Sequence, residues 1–160
     1  MTTNDAQVEL TPLREEDSDA LFRWINDRET VELSAVFRPV VREDHDAWFA
    51  DVRERPDVEI YAIRAGGRLV GSCQLHAIDL SAGSAQLQIR IGEPAERGRG
   101  IGTAAVRLLL ARAFDGLGLS RVGLHVFETN ERAIATYARC GFVETGRRNG
   151  TVEMEARRPG

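Results

Sequence analysis

The sequence predicts an α+β fold, with an antiparallel first half and a strand–helix–strand unit in the second. Three observations predict it. Apolar residues return at helical spacing as far as Val52, and at a period of two from Glu59 onward. Turn-forming runs, Ala65 to Arg68 and Leu80 to Ser84, punctuate the alternating stretches. A glycine-rich segment, Arg97 to Gly102, stands between an alternating run and a long run with an apolar stripe.

Taken in order, Val8-Glu9-Leu10-Thr11 alternates apolar and polar residues, and Pro12 closes the strand. Leu21, Trp24, Ile25 and Arg28 then return on one helical face. A second helix is predicted from Arg42-Glu43-Asp44, whose acids suit a helix N-terminus; it sets His45, Trp48, Phe49 and Val52 on one side, and Pro56 ends it. Glu59 to Ile63 and Leu69 to His76 read as strands joined by the Gly66-Gly67 turn. Ala85, Leu87, Ile89 and Ile91 alternate with Gln86, Gln88 and Arg90, giving a strand with one apolar and one polar face. After the glycines, Val106, Leu109, Leu110, Ala113, Phe114 and Leu117 form the stripe of a long helix. Arg121 to Phe127 follows as a strand, which suits a crossover between parallel neighbours. A last helix runs from Asn130 to Gly141, and two short strands complete about seven strands and about four helices.

With 160 residues the chain is expected to form a single domain, 1–160, and it shows no linker, repeat or low-complexity tract. A net charge of -4 supplies no general basic field for a nucleic-acid backbone or an anionic membrane, so neither partner is expected. No stretch approaches the ~20 apolar residues of a membrane span, and MTTNDAQ does not resemble a signal peptide. Cys73 and Cys140 lack metal-type spacing, so neither zinc nor a disulfide framework is expected and a reducing cytoplasm is the default.

The chemistry is concentrated in the glycine-rich segment. Glycines at 98, 100 and 102 let the backbone turn sharply and expose successive N–H groups at a helix N-terminus, where the macrodipole favours an anion. Arg97 and Arg99 add positive charge. A pyrophosphate is the natural ligand. The spacing is neither the dinucleotide G-x-G-x-x-G nor a P-loop, which ends in G-K-[ST].

At these residues the chain resembles the GNAT acetyltransferases, whose hallmark [Q/R]-x-x-G-x-[G/A] reads here as Arg97-Gly98-Arg99-Gly100-Ile101-Gly102. A second block, Asn130-Glu131-Arg132-Ala133-Ile134 with Tyr137 and Gly141-Phe142, resembles the branch that acetylates ribosomal-protein N-termini, polyamines and amino sugars. The resemblance implies a mixed sheet splayed between its fourth and fifth strands, with the pantetheine arm of acetyl-CoA in the gap. Backbone of Arg90, Ile91 and Gly92 would pair with that arm, and Arg97 to Thr103 would hold the pyrophosphate. Asn130 and Arg132 would contact the cofactor, and Tyr137 would point at the thioester sulfur. Related enzymes are often dimers, so a homodimer is one expectation.

Such an enzyme must take a proton from an alkylammonium of pKa near ~10.4, stabilise an oxyanion and release a thiolate. Tyr137 is the candidate acid. His125, on the strand face opposite Leu124 and Val126, is the candidate base, with His76 in reserve and a water chain as the alternative. Cys140 reads as packing, because direct transfer needs no covalent enzyme intermediate. On the acceptor side, Trp24, Asn26 and Arg28, joined by His76 and Gln88, are the candidate contacts. Trp24-Ile25-Asn26-Asp27 with the later His45-Asp46-Ala47-Trp48-Phe49 resembles amino-sugar N-acetyltransferases, although Trp24 also lies on an apolar face where core packing competes. The expected acceptor is therefore the primary amine of an amino sugar, a nucleotide-linked amino sugar or another metabolite. A protein N-terminal α-amine is the second reading, and a non-catalytic acyl-CoA sensor the third.

Overall fold

The computed structural model describes residues 7–160, all but the first six residues of the chain. Seven strands form one mixed sheet in the order β1-β2-β3-β4-β5-β7-β6. These are β1 (Val8–Pro12), β2 (Glu59–Ala65), β3 (Arg68–Asp79), β4 (Ser84–Ile91), β5 (Arg121–Phe127), β6 (Val143–Arg148) and β7 (Thr151–Arg157). Neighbours are antiparallel except β4 and β5, which are parallel. That pairing is short: Ser84, Ala85 and Gln86 face Arg121, Val122 and Gly123, and beyond these residues no ladder joins the two strands. The splay implied by the family resemblance is therefore present.

The strand alternation decides which side chains meet which helices. Ala85, Leu87 and Ile89 on β4 and Val122, Leu124 and Val126 on β5 pack in the main core with α4 (Ile101–Ala111) and with Tyr137 of α5 (Glu131–Arg139). Gln86, Gln88 and Arg90 occupy the other face of β4. Over β2 and β3, that other face is covered by α1 (Ser18–Ile25) and α3 (Arg42–Val52). Leu21, Trp24 and Phe49 form a second apolar cluster there with Leu13 and Ala62.

Two expectations need correction. Five α-helices are present, because the first helical segment breaks after Ile25 and restarts as α2 (Arg28–Glu32). The Asn26 side chain causes the break: its amide donates to the carbonyls of Phe22 and Val40 at 3.0 and 3.1 Å, and its oxygen accepts the Val40 N–H at 2.8 Å. Arg28 consequently leaves the face of Leu21 and Trp24. The long helix also ends differently, α4 passing at Arg112 into one wide turn closed by the Leu117 N–H on the Arg112 carbonyl at 2.9 Å. There the Arg112 guanidinium grips the Glu59 carboxylate of β2 at 2.8 and 2.9 Å, anchoring the end of the helix to the sheet.

A buried ion pair fixes the opposite end. Arg64, 7% exposed, donates twice to Asp17 at 2.9 and 2.8 Å and once to the Thr11 hydroxyl at 3.1 Å. Asp17 also accepts the Arg14 N–H at 2.8 Å, so both charges are satisfied by several bonds rather than by one contact.

Candidate active site

Where β4 and β5 part, a cleft of about 830 Å³ opens between them and runs to the N-terminus of α4. Its head is built from backbone. Gly98 and Gly100 take φ of +76° and +82°, conformations that favour glycine, and the second of these caps α4. Among the described residues, the chain so bent leaves the N–H groups of residues 98 to 103 without an acceptor; the first helical bond at this end runs from Ala104 to the Gly100 carbonyl at 3.1 Å. A Cβ placed on Gly100 or Gly102 would meet nothing within 4 Å, so the space beside these amides is open. Unpartnered donors at a helix N-terminus, with Gly98, Gly100, Gly102 and Thr103 lining the cleft, suit a diphosphate.

The arginines of the turn act less directly than their positions suggest. Arg97 folds inward, donating to the Ile91 carbonyl at 3.2 Å and to the Thr30 hydroxyl of α2 at 2.8 Å. Arg99 faces solvent and pairs with Glu96 at 3.2 Å, which also holds Arg68 at 2.8 Å. Arg132 has no carboxylate partner among the described residues, lines the cleft, and its guanidinium lies 3.4 Å from the position of a Cβ on Gly98. Three other residues assigned to the cofactor from sequence, Gly92, Arg99 and Ile101, do not line the cleft. Ile101 is core, and Gly92 passes against the indole of Trp24, where a Cβ would come within 2.0 Å of a ring carbon.

Asn130 caps α5 by accepting the Ala133 N–H at 3.2 Å and donates to the Leu33 carbonyl at 2.9 Å. With the Arg97–Thr30 bond, this makes α2 a bridge across the mouth of the cleft, tied to the phosphate turn on one side and to α5 on the other. Sequence reading missed that role, because it depends on contacts 67 and 97 residues apart along the chain.

Tyr137 projects from α5 into the cleft wall, 9% exposed, with its ring edge-on to Phe142 at 5.7 Å. Its hydroxyl has no protein partner among the described residues, and burial pushes its pKa up to about 12, so it remains a phenol at neutral pH. His125 and His76 line the same cleft. His125 is 60% exposed and lies 3.6 Å from Glu153. His76 is more enclosed; burial lowers its pKa, Asp57 opposes that, and the charge of His125 lowers it further. Its imidazole is therefore neutral and free to accept a proton at neutral pH. The Cys140 thiol donates to the Thr103 carbonyl at 3.7 Å, and burial pushes its pKa up against the opposing charges of Arg107 and Arg139.

A second cavity of about 400 Å³ lies under α1 and α3, and it shares Gln88, Ile89 and Arg90 of β4 with the cleft. Trp24 contributes one edge of its ring while remaining 3% exposed, its Nε1–H donating to Glu93 at 3.1 Å; it is a core residue that also walls the cavity. Gln88 accepts from Gln74 at 3.0 Å across the cavity floor. Asn26 and Arg28 line neither cavity. Asn26 is consumed by its backbone bonds, and Arg28 pairs with Glu32 at 3.0 Å and stacks on Phe37, 4.6 Å from the ring centre. The Arg90 side chain, taken from sequence only for its backbone, stands at the junction of the two cavities; its place on the polar face with Gln86 and Gln88 was the available signal.

Among the described residues no helix is long and apolar enough to cross a membrane, and no group of three His, Cys, Asp or Glu is placed to hold a metal. A family model described as an acetyltransferase (GNAT) domain matches residues 7–143. Spermidine N(1)-acetyltransferase of Vibrio cholerae is 36% identical over 78 residues, 49% of this chain and 44% of that protein. A Bacillus subtilis protein named as a ribosomal N-acetyltransferase, YdaF, is 38% identical over 81 residues, 51% of this chain and again 44% of the relative. The matched segments thus span under half the length of these relatives. In three dimensions, a crystal structure of the Vibrio cholerae spermidine N-acetyltransferase in complex with CoA and spermine superposes with a TM-score of 0.83 over 95% of this chain and 96% of that one, at 23% identity.

Proposed function

The chain belongs to the GNAT acetyltransferase family, and from that premise we propose that it transfers the acetyl group of acetyl-CoA to the primary amine of a small-molecule acceptor by direct attack. One observation carries the reading: among the described residues the backbone N–H groups of Gly98 to Thr103 have no acceptor, four of these residues (Gly98, Gly100, Gly102 and Thr103) line the cleft at the N-terminus of α4, and that cleft meets a second cavity along β4. The first space suits the diphosphate and pantetheine arm, and the second suits the acceptor. The second cavity's volume of about 400 Å³ and mostly apolar lining suit a small molecule.

Acetyl-CoA supplies the activated carbonyl. The amine, once neutral, forms a C–N bond to the carbonyl carbon, and the C–S bond to the coenzyme breaks. The ammonium proton passes to a base at the cleft, for which His76 is better placed electrostatically than the more exposed His125. With a pKa of about 12 against ~8.5 for a thiol, Tyr137 would give up its proton uphill. Its part is instead to donate a hydrogen bond to the sulfur as charge builds there, and the thiolate leaves to be protonated by solvent.

Initial-rate kinetics test the direct route. Varying acetyl-CoA at several acceptor concentrations is expected to give intersecting double-reciprocal lines, and incubation without acceptor should leave the intact mass of the protein unchanged. Parallel lines with a 42 Da adduct, about the mass of one acetyl group replacing a hydrogen, would place a covalent acetyl-enzyme on the path instead.

A further inference from the structure

Among the described residues, Arg90 is the one arginine that lines both cavities, and no carboxylate pairs with it. Its Nε is buried without a hydrogen-bond partner, and an Nη reaches only the Ser34 hydroxyl, at 3.5 Å, the limit of a hydrogen bond. Burial pushes its pKa down, with no carboxylate acting to raise it. Arg23 is neutralised by Glu93 at 2.6 Å, Arg42 by Asp19 at 2.6 Å and Asp46 at 3.1 Å, and Arg99 by Glu96 at 3.2 Å. No aspartate or glutamate lines the acceptor cavity. Its polar floor is Ser72, Gln74, Gln88 and Arg90, two facing pairs of the β3–β4 ladder. The rest is mostly apolar.

A guanidinium withdrawn from water without a counter-charge is costly, and a buried polar atom left unpaired calls for a ligand. Its planar fork matches a carboxylate or phosphate. Resting on the acetyl-transfer reading above, we propose that the acceptor is an amine that also carries a carboxylate or phosphate. Arg90 binds that anion, and the apolar body lies among Leu21, Ile25, Val40 and Ile60. The arrangement selects against polyamines, which bring only positive charge to a wall whose one full charge is positive.

Three probes with one six-carbon body isolate the charge: hexanoate, hexyl phosphate and hexylamine, titrated calorimetrically into the CoA-loaded protein. The expected result is that at least one anion binds about tenfold or more tighter than hexylamine, the worth of one charge-assisted hydrogen bond. Arg90→Gln should remove that preference, lowering the favoured anion's affinity about tenfold and by more than it changes acetyl-CoA affinity. Because the substitution deletes an unpaired buried charge, its melting temperature should not fall. Hexanoate binding tighter assigns a carboxylate acceptor, and hexyl phosphate binding tighter a phosphorylated one. Hexylamine binding as well as both anions, a preference that survives in Arg90→Gln, or an equal loss of acetyl-CoA affinity in that variant would overturn the proposal. If the wild-type protein bound no acetyl-CoA, the transfer reading itself would fail, and the probes titrated into the free protein would still report on Arg90.

Discussion

Tyr137 and the two cleft histidines set the residue-scale expectations. Tyr137→Phe removes a hydrogen bond that matters only as sulfur acquires charge, so kcat should fall by about 10- to 100-fold with little change in acetyl-CoA affinity. Steady-state kinetics beside a binding titration separate this from a packing role, in which both quantities would worsen together. A His76→Gln variant should lower kcat/KM most near neutral pH and regain activity as the buffer is made alkaline, because solvent and hydroxide then take the proton; a profile unchanged from wild type would remove His76 from the reaction. At this scale the sequence was informative about residue types and faces. Both histidines and the tyrosine do share one cleft. The ordering of the bases was not legible, since it depends on burial and on the charges of Asp57 and His125 around His76.

At the scale of elements, the turn into α4 and the end of β4 carry opposite constraints on glycine. Gly102 sits inside the first helical turn with ordinary dihedrals and open space beside it. Gly102→Ala should therefore raise stability, by up to about 1 kcal/mol from helix propensity, while weakening acetyl-CoA binding by intruding on the cleft. A thermal melt and a binding titration on the same preparation check both signs. Gly100 is the poorer probe, because its φ of +82° makes any side chain strained before a ligand is considered. Gly92→Ala should destabilise by about 1–3 kcal/mol, since a Cβ there strikes the buried Trp24 ring; chemical denaturation measures it. The strands, α3 and the glycine turn were readable from period and turn residues. The break after Ile25 was not, because it follows from the Asn26 side chain meeting the Val40 backbone, a contact that periodicity cannot register. The bend at Gly98 and Gly100 was legible from the glycines, but the inward fold of Arg97 onto Thr30 was not.

For the molecule as a whole, stability should depend on acid in a definite direction. His45 lies 3% exposed between α1 and α3 with its Nε2 against Ser18, and burial lowers its pKa below the usual 6.5. A group held neutral in the folded state but protonated in the unfolded one contributes fully above pH 6.5 and loses that contribution as the pH falls toward its depressed folded value. His76, also lowered, adds in the same sense. Melting temperature followed from pH 7.5 down to about 5 should therefore decline, and His45→Gln should flatten the slope. The Asp17–Arg64 pair makes a second global expectation: Asp17→Ala leaves a buried guanidinium without its anion and should cost about 3–5 kcal/mol, whereas replacing both residues with apolar ones should cost far less.

The claim beneath all of these is that free main-chain amides ahead of α4 grip a diphosphate. Calorimetric titration of the wild-type protein with acetyl-CoA and with acetyl-pantetheine, the same thioester arm without the diphosphate, tests it most directly. Saturable binding of acetyl-CoA, with acetyl-pantetheine weaker by about 100-fold or more, is the predicted result. Equal affinities for the two, or no binding of acetyl-CoA by folded protein, would contradict it.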